Sequence, residues 1–213
     1  MELADNAAEI FSQTMHSSSF LDRFISHRTA LAFVCQFLGQ KYEPTLTHDK
    51  TSFSQIRPNP IIARYFVIII TALISTPTRI SAFTAALRSP ECDKCFTYWL
   101  TALENSGVAE VLRNFIVCQD DFPQNCKNEI YNLLREKRVL ENLIDLLICK
   151  YEVSSIASIN SCSFILTRIF SKNLHELINI ILTHVPTIAS VVFSALPMVS
   201  LSIAPKTSLP PSK

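Results

Sequence analysis

Glycine is almost missing from this chain, with two residues among 213. Parallel α/β folds and phosphate-cradling loops depend on glycine turns, so a Rossmann or P-loop nucleotide site is excluded. Charge is sparse as well: 17% of residues are charged, against roughly 25% in an average globular protein. The formal net charge is +1, and no run of Lys or Arg stands out. The chain therefore lacks the electrostatic footprint of a nucleic-acid-binding protein. Its N-terminus, Met-Glu-Leu-Ala-Asp-Asn, has no basic region followed by an apolar run. No signal peptide is expected, and the expected location is cytoplasmic and reducing. Seven cysteines, an odd number, lie mostly within apolar stripes rather than at regular loop spacings. That pattern does not fit a disulfide-stapled secreted module.

What the chain has is apolar helix. Hydrophobic residues make up 48% of it, and mean hydropathy is +0.26. The length suffices for one domain, or two small ones, with a continuous core. A first helix is expected from Glu2 to about Met15. Ser17 to Ser19 supply caps for a second, with Phe20, Phe24, Leu31, Val34, Cys35 and Leu38 on one face, ending at Gly39. Residues 41–58 read as a polar loop. Asn59-Pro60 opens the most apolar helix, Ile61 to about Ser75, with Ile62, Tyr65, Phe66, Ile69 and Leu73 on one face and Val67, Ile68 and Ile70 on the others. Such a helix belongs in the middle of a bundle; it is too short for a bilayer, which takes about 20 residues.

Thr76-Pro77 predicts a cap with proline at the first helical position, then Ile80, Phe83 and Leu87 inward. After Pro90 comes a stripe of Cys92, Cys95, Phe96, Trp99 and Leu103. Ser106-Gly107 separates it from Val108, Val111, Leu112, Phe115 and Ile116. A turn at 119–123 leads to Ile130, Leu133 and Leu134. Leu140, Leu143, Ile144 and Leu147 follow on another helix, hinged near Lys137. The last of the set, Val153 to Phe170, turns Ile159, Cys162, Leu166 and Ile169 inward. Helices of three to five turns with short connections predict an all-α fold, an α-solenoid of stacked helical hairpins of the HEAT or armadillo kind with irregular repeats. The expected organisation is a helical domain over 1–172, apolar helices or a membrane segment over 173–204, and a disordered tail over 205–213.

Taken in order, several of these stretches resemble the SAPS-domain family, the regulatory subunits of protein phosphatase 6. They are Asn59-Pro-Ile-Ile-Ala-Arg-Tyr-Phe66, Gly107-Val-Ala-Glu-Val-Leu112, Asn128-Glu-Ile-Tyr-Asn-Leu-Leu134, Val139-Leu-Glu-Asn-Leu-Ile-Asp-Leu-Leu147 and Ser155 to Phe170. The likeness spans roughly residues 20 to 170, as of a short or truncated member. It implies a non-catalytic regulatory or scaffold subunit. The implied partner is the catalytic subunit of a serine/threonine phosphatase like phosphatase 6, with ankyrin-repeat subunits as further partners.

Other constellations have plainer readings. Cys92-x-x-Cys95, with Cys118 and Cys126 as the nearest further ligands, has the outline of a zinc site, but it shares a stripe with Phe96 and Trp99, where thiols pack as small hydrophobes. No metal, cofactor or catalytic residue is expected. His27 reads as a hydrogen-bonded core histidine. Asp120-Asp121 favours the start of a helix. The charge-free stretch from Leu177 to Pro205 has the composition of an anchor, yet His184, Pro186 and Pro197 fit terminal helices capping the core better. For a binding surface, the exposed charges near the turns are the candidates: Arg64, Arg79, Arg88, Arg113, Arg135, Lys137 and Arg138.

Overall fold

A computed structural model of the chain describes residues 18–38, 59–118, 120–148 and 156–186. The expected helix over 2–15, the loop over 41–58 and the segment from 187 onward lie outside the described residues. Within them the fold is all helical, with no β-strand. The helices are α1 Ser18–Ser26, α2 Arg28–Leu38, α3 Pro60–Leu73, α4 Pro77–Leu87, α5 Cys95–Thr101 and α6 Ser106–Val117. They continue with α7 Gln124–Glu136, α8 Val139–Leu147, α9 Ile156–Ser171 and α10 His175–Thr183, and a 3₁₀ turn at Pro90–Cys92 precedes α5.

The punctuation follows local chemistry. The Asn59 side chain accepts from the Ile61 amide at 2.9 Å, and Pro60 stands where a helix has no use for an N–H. Thr76 and Pro77 repeat the device at α4. Asn105 Oδ1 takes the Gly107 and Val108 amides at 3.0 and 3.2 Å, so Ser106 and Gly107 form the first turn of α6 instead of preceding it. Gly107 is needed there for proximity. A Cβ at this position would meet Val67 Cγ2 at 3.1 Å, so its absence lets α6 settle against α3. The hinge near Lys137 is a two-residue turn in which Arg138 takes a left-handed conformation (φ 52°).

The helix expected to carry Cys92 through Leu103 is α-helical only over Cys95–Thr101, with Cys92 in the 3₁₀ turn before it and Leu103 in the turn after it. Two further expectations are corrected. The single helix through Phe20 and Leu38 is broken at His27, which is exposed rather than in the core. The Ser26 hydroxyl donates back to the Arg23 carbonyl at 2.6 Å, a bond of the type that loosens a helical ladder. Freed from α2, helix α1 buries Leu21 and Ile25, and Phe20 and Phe24 stay half-buried. The second correction concerns α3. It buries Ala63, Phe66, Ile69, Ile70 and Leu73, while Ile62 and Tyr65 are half-buried and Ile61 is 48% exposed. One face of this apolar helix therefore looks outward.

The tertiary arrangement has a regular offset. Helix α1 packs on α4, α2 on α5, α3 on α6, α4 on α7, α5 on α8 and α6 on α9, each against the helix three further along. Three series of packed helices, or stacks, result: α1–α4–α7, α2–α5–α8 and α3–α6–α9. Helix α10 leaves the pattern and packs on α8 and α9. A single core runs through all of it. At its centre Trp99 meets Phe66 edge-on at 5.4 Å, Phe96 at 5.4 Å and Phe115 at 5.9 Å, with Phe83 stacked at 6.3 Å.

Candidate functional site

The Cys92/Cys95 pair lies inside this core. Cys35 of α2, Cys92 of the 3₁₀ turn and Cys95 of α5 are all buried, brought together because α2 packs on both of the other elements. Contact with the Cys95 thiol, then burial, holds Cys92 far above the ordinary thiol range. Contact with Cys35 does the same for Cys95, opposed in part by Cys92. Cys118 and Cys126 are elsewhere: Cys126 accepts from the Ser81 hydroxyl at 3.3 Å, and Cys118 donates to the Phe115 carbonyl at 3.4 Å. Among the described residues no group of three or more His, Cys, Asp or Glu is spaced to hold a metal ion.

Burial pushes Cys118 and Cys162 up to about 12. A thiol with so little thiolate near neutral pH is a poor nucleophile. With iodoacetamide at neutral pH the peptides carrying Cys92, Cys95, Cys118 and Cys162 are therefore expected to stay unmodified in the native protein and to alkylate fully in guanidinium. Peptide mapping reads this directly, and fast native labelling of Cys95 would show that the thiol cluster is open to solvent.

Three of the seven charges near the turns tie separate elements together. Arg88 at the end of α4 binds the Glu136 carboxylate at 3.1 Å and the Glu129 carbonyl at 3.0 Å, both on α7. Arg79 faces Asp22 of α1 at 3.8 Å. Lys137 holds Asp93, tying the α7–α8 turn to the turn before α5. Arg138 pairs with Glu141, and Arg135 donates to Asn132 at 3.3 Å. Asp120 does not serve the start of α7, where Pro123 is the capping residue. It pairs instead with Lys172 beyond α9, and that ammonium holds its carboxyl below the usual range. Such exposed pairs contribute little to stability each; those of Arg79, Arg88 and Lys137 reach across to another element, whereas Arg135 and Arg138 bond only within their own turn of helix.

Arg64 and Arg113 lie on neighbouring helices, α3 and α6. Arg64 is exposed on α3. Arg113 of α6 binds Glu110 at 3.2 Å and Asn114 at 2.8 Å, and its guanidinium lies 4.9 Å from the centre of the Phe164 ring of α9. The periodicity of apolar residues gives no sign of this cation–π contact, since its partners are 51 positions apart and Phe164 belongs to no inward stripe.

Among the described residues no single helix is long and apolar enough to cross a membrane. Helices α3 and α4 together pass on length and composition, but they meet at 118° and both contribute to the core. The sequence matches no protein-family model, and no curated protein and no solved structure is significantly similar to it.

Proposed function

We propose that the chain is a non-catalytic scaffold, a regulatory subunit that binds a serine/threonine phosphatase catalytic subunit of the phosphatase 6 kind. Its helices form a short solenoid of irregular armadillo-like repeats. The observation that carries the reading is the offset of three in helix packing, the contact pattern of a chain built from successive three-helix units. Repeats of this sort bind through the extended surface of one stack. The segments that resemble the SAPS-domain family, where described, lie on helices: 59–66 at the capped start of α3, 107–112 in the first half of α6, 128–134 within α7, 139–147 as α8 and 156–170 in α9. A scaffold role also fits the core, whose described thiols are all buried.

The test is capture of purified phosphatase 6 catalytic subunit by the tagged chain, read by analytical gel filtration. Co-elution near one to one is expected. Separate elution of two folded proteins would overturn the phosphatase reading.

A further inference from the structure

The α3–α6–α9 stack differs from the other two in both charge and exposure. Its helices carry three arginines (Arg64, Arg113, Arg168) and one carboxylate, Glu110, which Arg113 already engages. The α1–α4–α7 stack is mixed in sign, and α2–α5–α8 has one arginine against two carboxylates. Exposed apolar groups gather on the same stack: Ile61 on α3, and Ile156, Phe164 and Phe170 on α9.

Arg64, Arg113, Ile61 and Phe164 of this set share a surface. On α3 the outward stripe is Ile61, Arg64, Ile68 and Thr71, with Val67 at its flank meeting Gly107 of α6. On α6 it is Ser106, Glu110 and Asn114, bordered on the α3 side by Gly107 and on the other by Arg113. Arg113 lies against Phe164, which stands on the outward stripe of α9 with Asn160 and Thr167. The two flank contacts join three helical stripes into one face.

We infer that this face is a docking surface for an acidic segment of a partner protein that carries aliphatic or aromatic side chains among its carboxylates. The sign of the charge selects the acidic partner. Ile61, Ile68 and the Phe164 ring offer apolar contact, and Asn114, Asn160 and Thr167 offer hydrogen bonds to a peptide backbone. A stacked Arg–Phe pair is a rigid amphipathic anchor of the kind that dominates protein interfaces. An anionic bilayer fits less well, because the arginines stand singly among amide and hydroxyl groups instead of forming a basic cluster. The surface is defined without reference to a phosphatase, so this inference and the phosphatase reading fail separately.

The test uses the full chain and two fluorescein-labelled synthetic peptides. One alternates Glu with Leu and Phe; the other has Lys in place of every Glu. Fluorescence anisotropy should show saturable binding of the Glu peptide and none of the Lys peptide. Arg64→Glu and Phe164→Ser should each weaken binding about tenfold, whereas Arg135→Glu on α7, the same charge change outside the face, should leave it within about twofold. Circular dichroism confirms that each variant is folded, and since both substitutions replace exposed residues, either one alone suffices. Equal binding of the two peptides, or binding indifferent to Arg64 and Phe164, would overturn the inference. So would binding of phosphatidylserine vesicles in place of the peptide, or a dimer, seen by sedimentation, that Arg64→Glu dissolves.

Discussion

Trp99→Ala is expected to destabilise the fold by about 4 kcal/mol, within the range for deleting a large buried aromatic. Trp99 is 1% exposed and touches four phenylalanines that come from α3, α4, α5 and α6. Its removal opens a cavity where all three stacks meet, and neither Phe66 nor Phe115 can close it without leaving its own packing. For a chain of this size such a loss lowers the melting temperature on the order of 10 °C. Trp99→Phe refines the prediction. The indole Nε1 is buried and has no hydrogen-bond partner among the described residues, so phenylalanine gives up volume but also removes an unsatisfied donor. Its cost should be well under half that of alanine. Because Trp99 is the only tryptophan, unfolding must be followed by far-UV circular dichroism in urea. A loss below about 1 kcal/mol for Trp99→Ala would mean that the aromatic cluster is not the centre of the core.

That cluster is half legible in the sequence. Cys92, Cys95, Phe96, Trp99 and Leu103 recur at spacings of three and four, and all five are buried. Periodicity picks out these buried positions, although only Cys95, Phe96 and Trp99 share the α-helix, with Cys92 in the 3₁₀ turn and Leu103 in the turn after α5. The partners across the interface are another matter. Phe66 and Phe115 reach Trp99 from positions 33 residues before it and 16 after it, and nothing in the intervening pattern records the offset of three on which the stacks are built. That offset comes from how ridges of one helix fit grooves of the next. The break at His27 is missed for a local reason: Ser26 competes for the Arg23 carbonyl, while the apolar spacing on either side of it continues undisturbed. Burial is misjudged where a helix is apolar on every side. On α3 the sequence cannot distinguish Ile62 from Ala63, and the structure buries the smaller residue.

The candidate surface shows the same division. Seven basic residues near turns were equivalent by composition, and tertiary structure separates them. Arg79, Arg88 and Lys137 are spent on contacts between helices 44 to 57 residues apart in sequence. Arg64 and Arg113 lie on one face, and Phe164, which no inward stripe included, proves to be one of the residues that join α6 to α9.

Alanine at both Leu177 and Ile181 is expected to lower stability by about 5 kcal/mol, a sum of two buried aliphatic truncations reduced by their proximity on one helix. These are the residues through which α10 enters the core, 0% and 3% exposed, packed where the helix meets α8 and α9. The charge-free stretch that begins here has two readings with opposite consequences. If α10 caps the end of the helical body, its inward residues stabilise α8 and α9, and their loss should speed amide exchange in both helices along with the fall in melting temperature. If the stretch serves only as an anchor, the body folds without it, and the double substitution leaves the unfolding midpoint unchanged. Leu182→Ala separates packing from general hydrophobicity. That residue is on the same helix but 51% exposed, and its replacement should change stability by no more than about 0.5 kcal/mol. Equal effects from the inward pair and from Leu182 would mean that α10 does not hold one face against the core. A large effect confined to Leu177 and Ile181 would make α10 part of the helical body, holding α8 and α9 through its inward face.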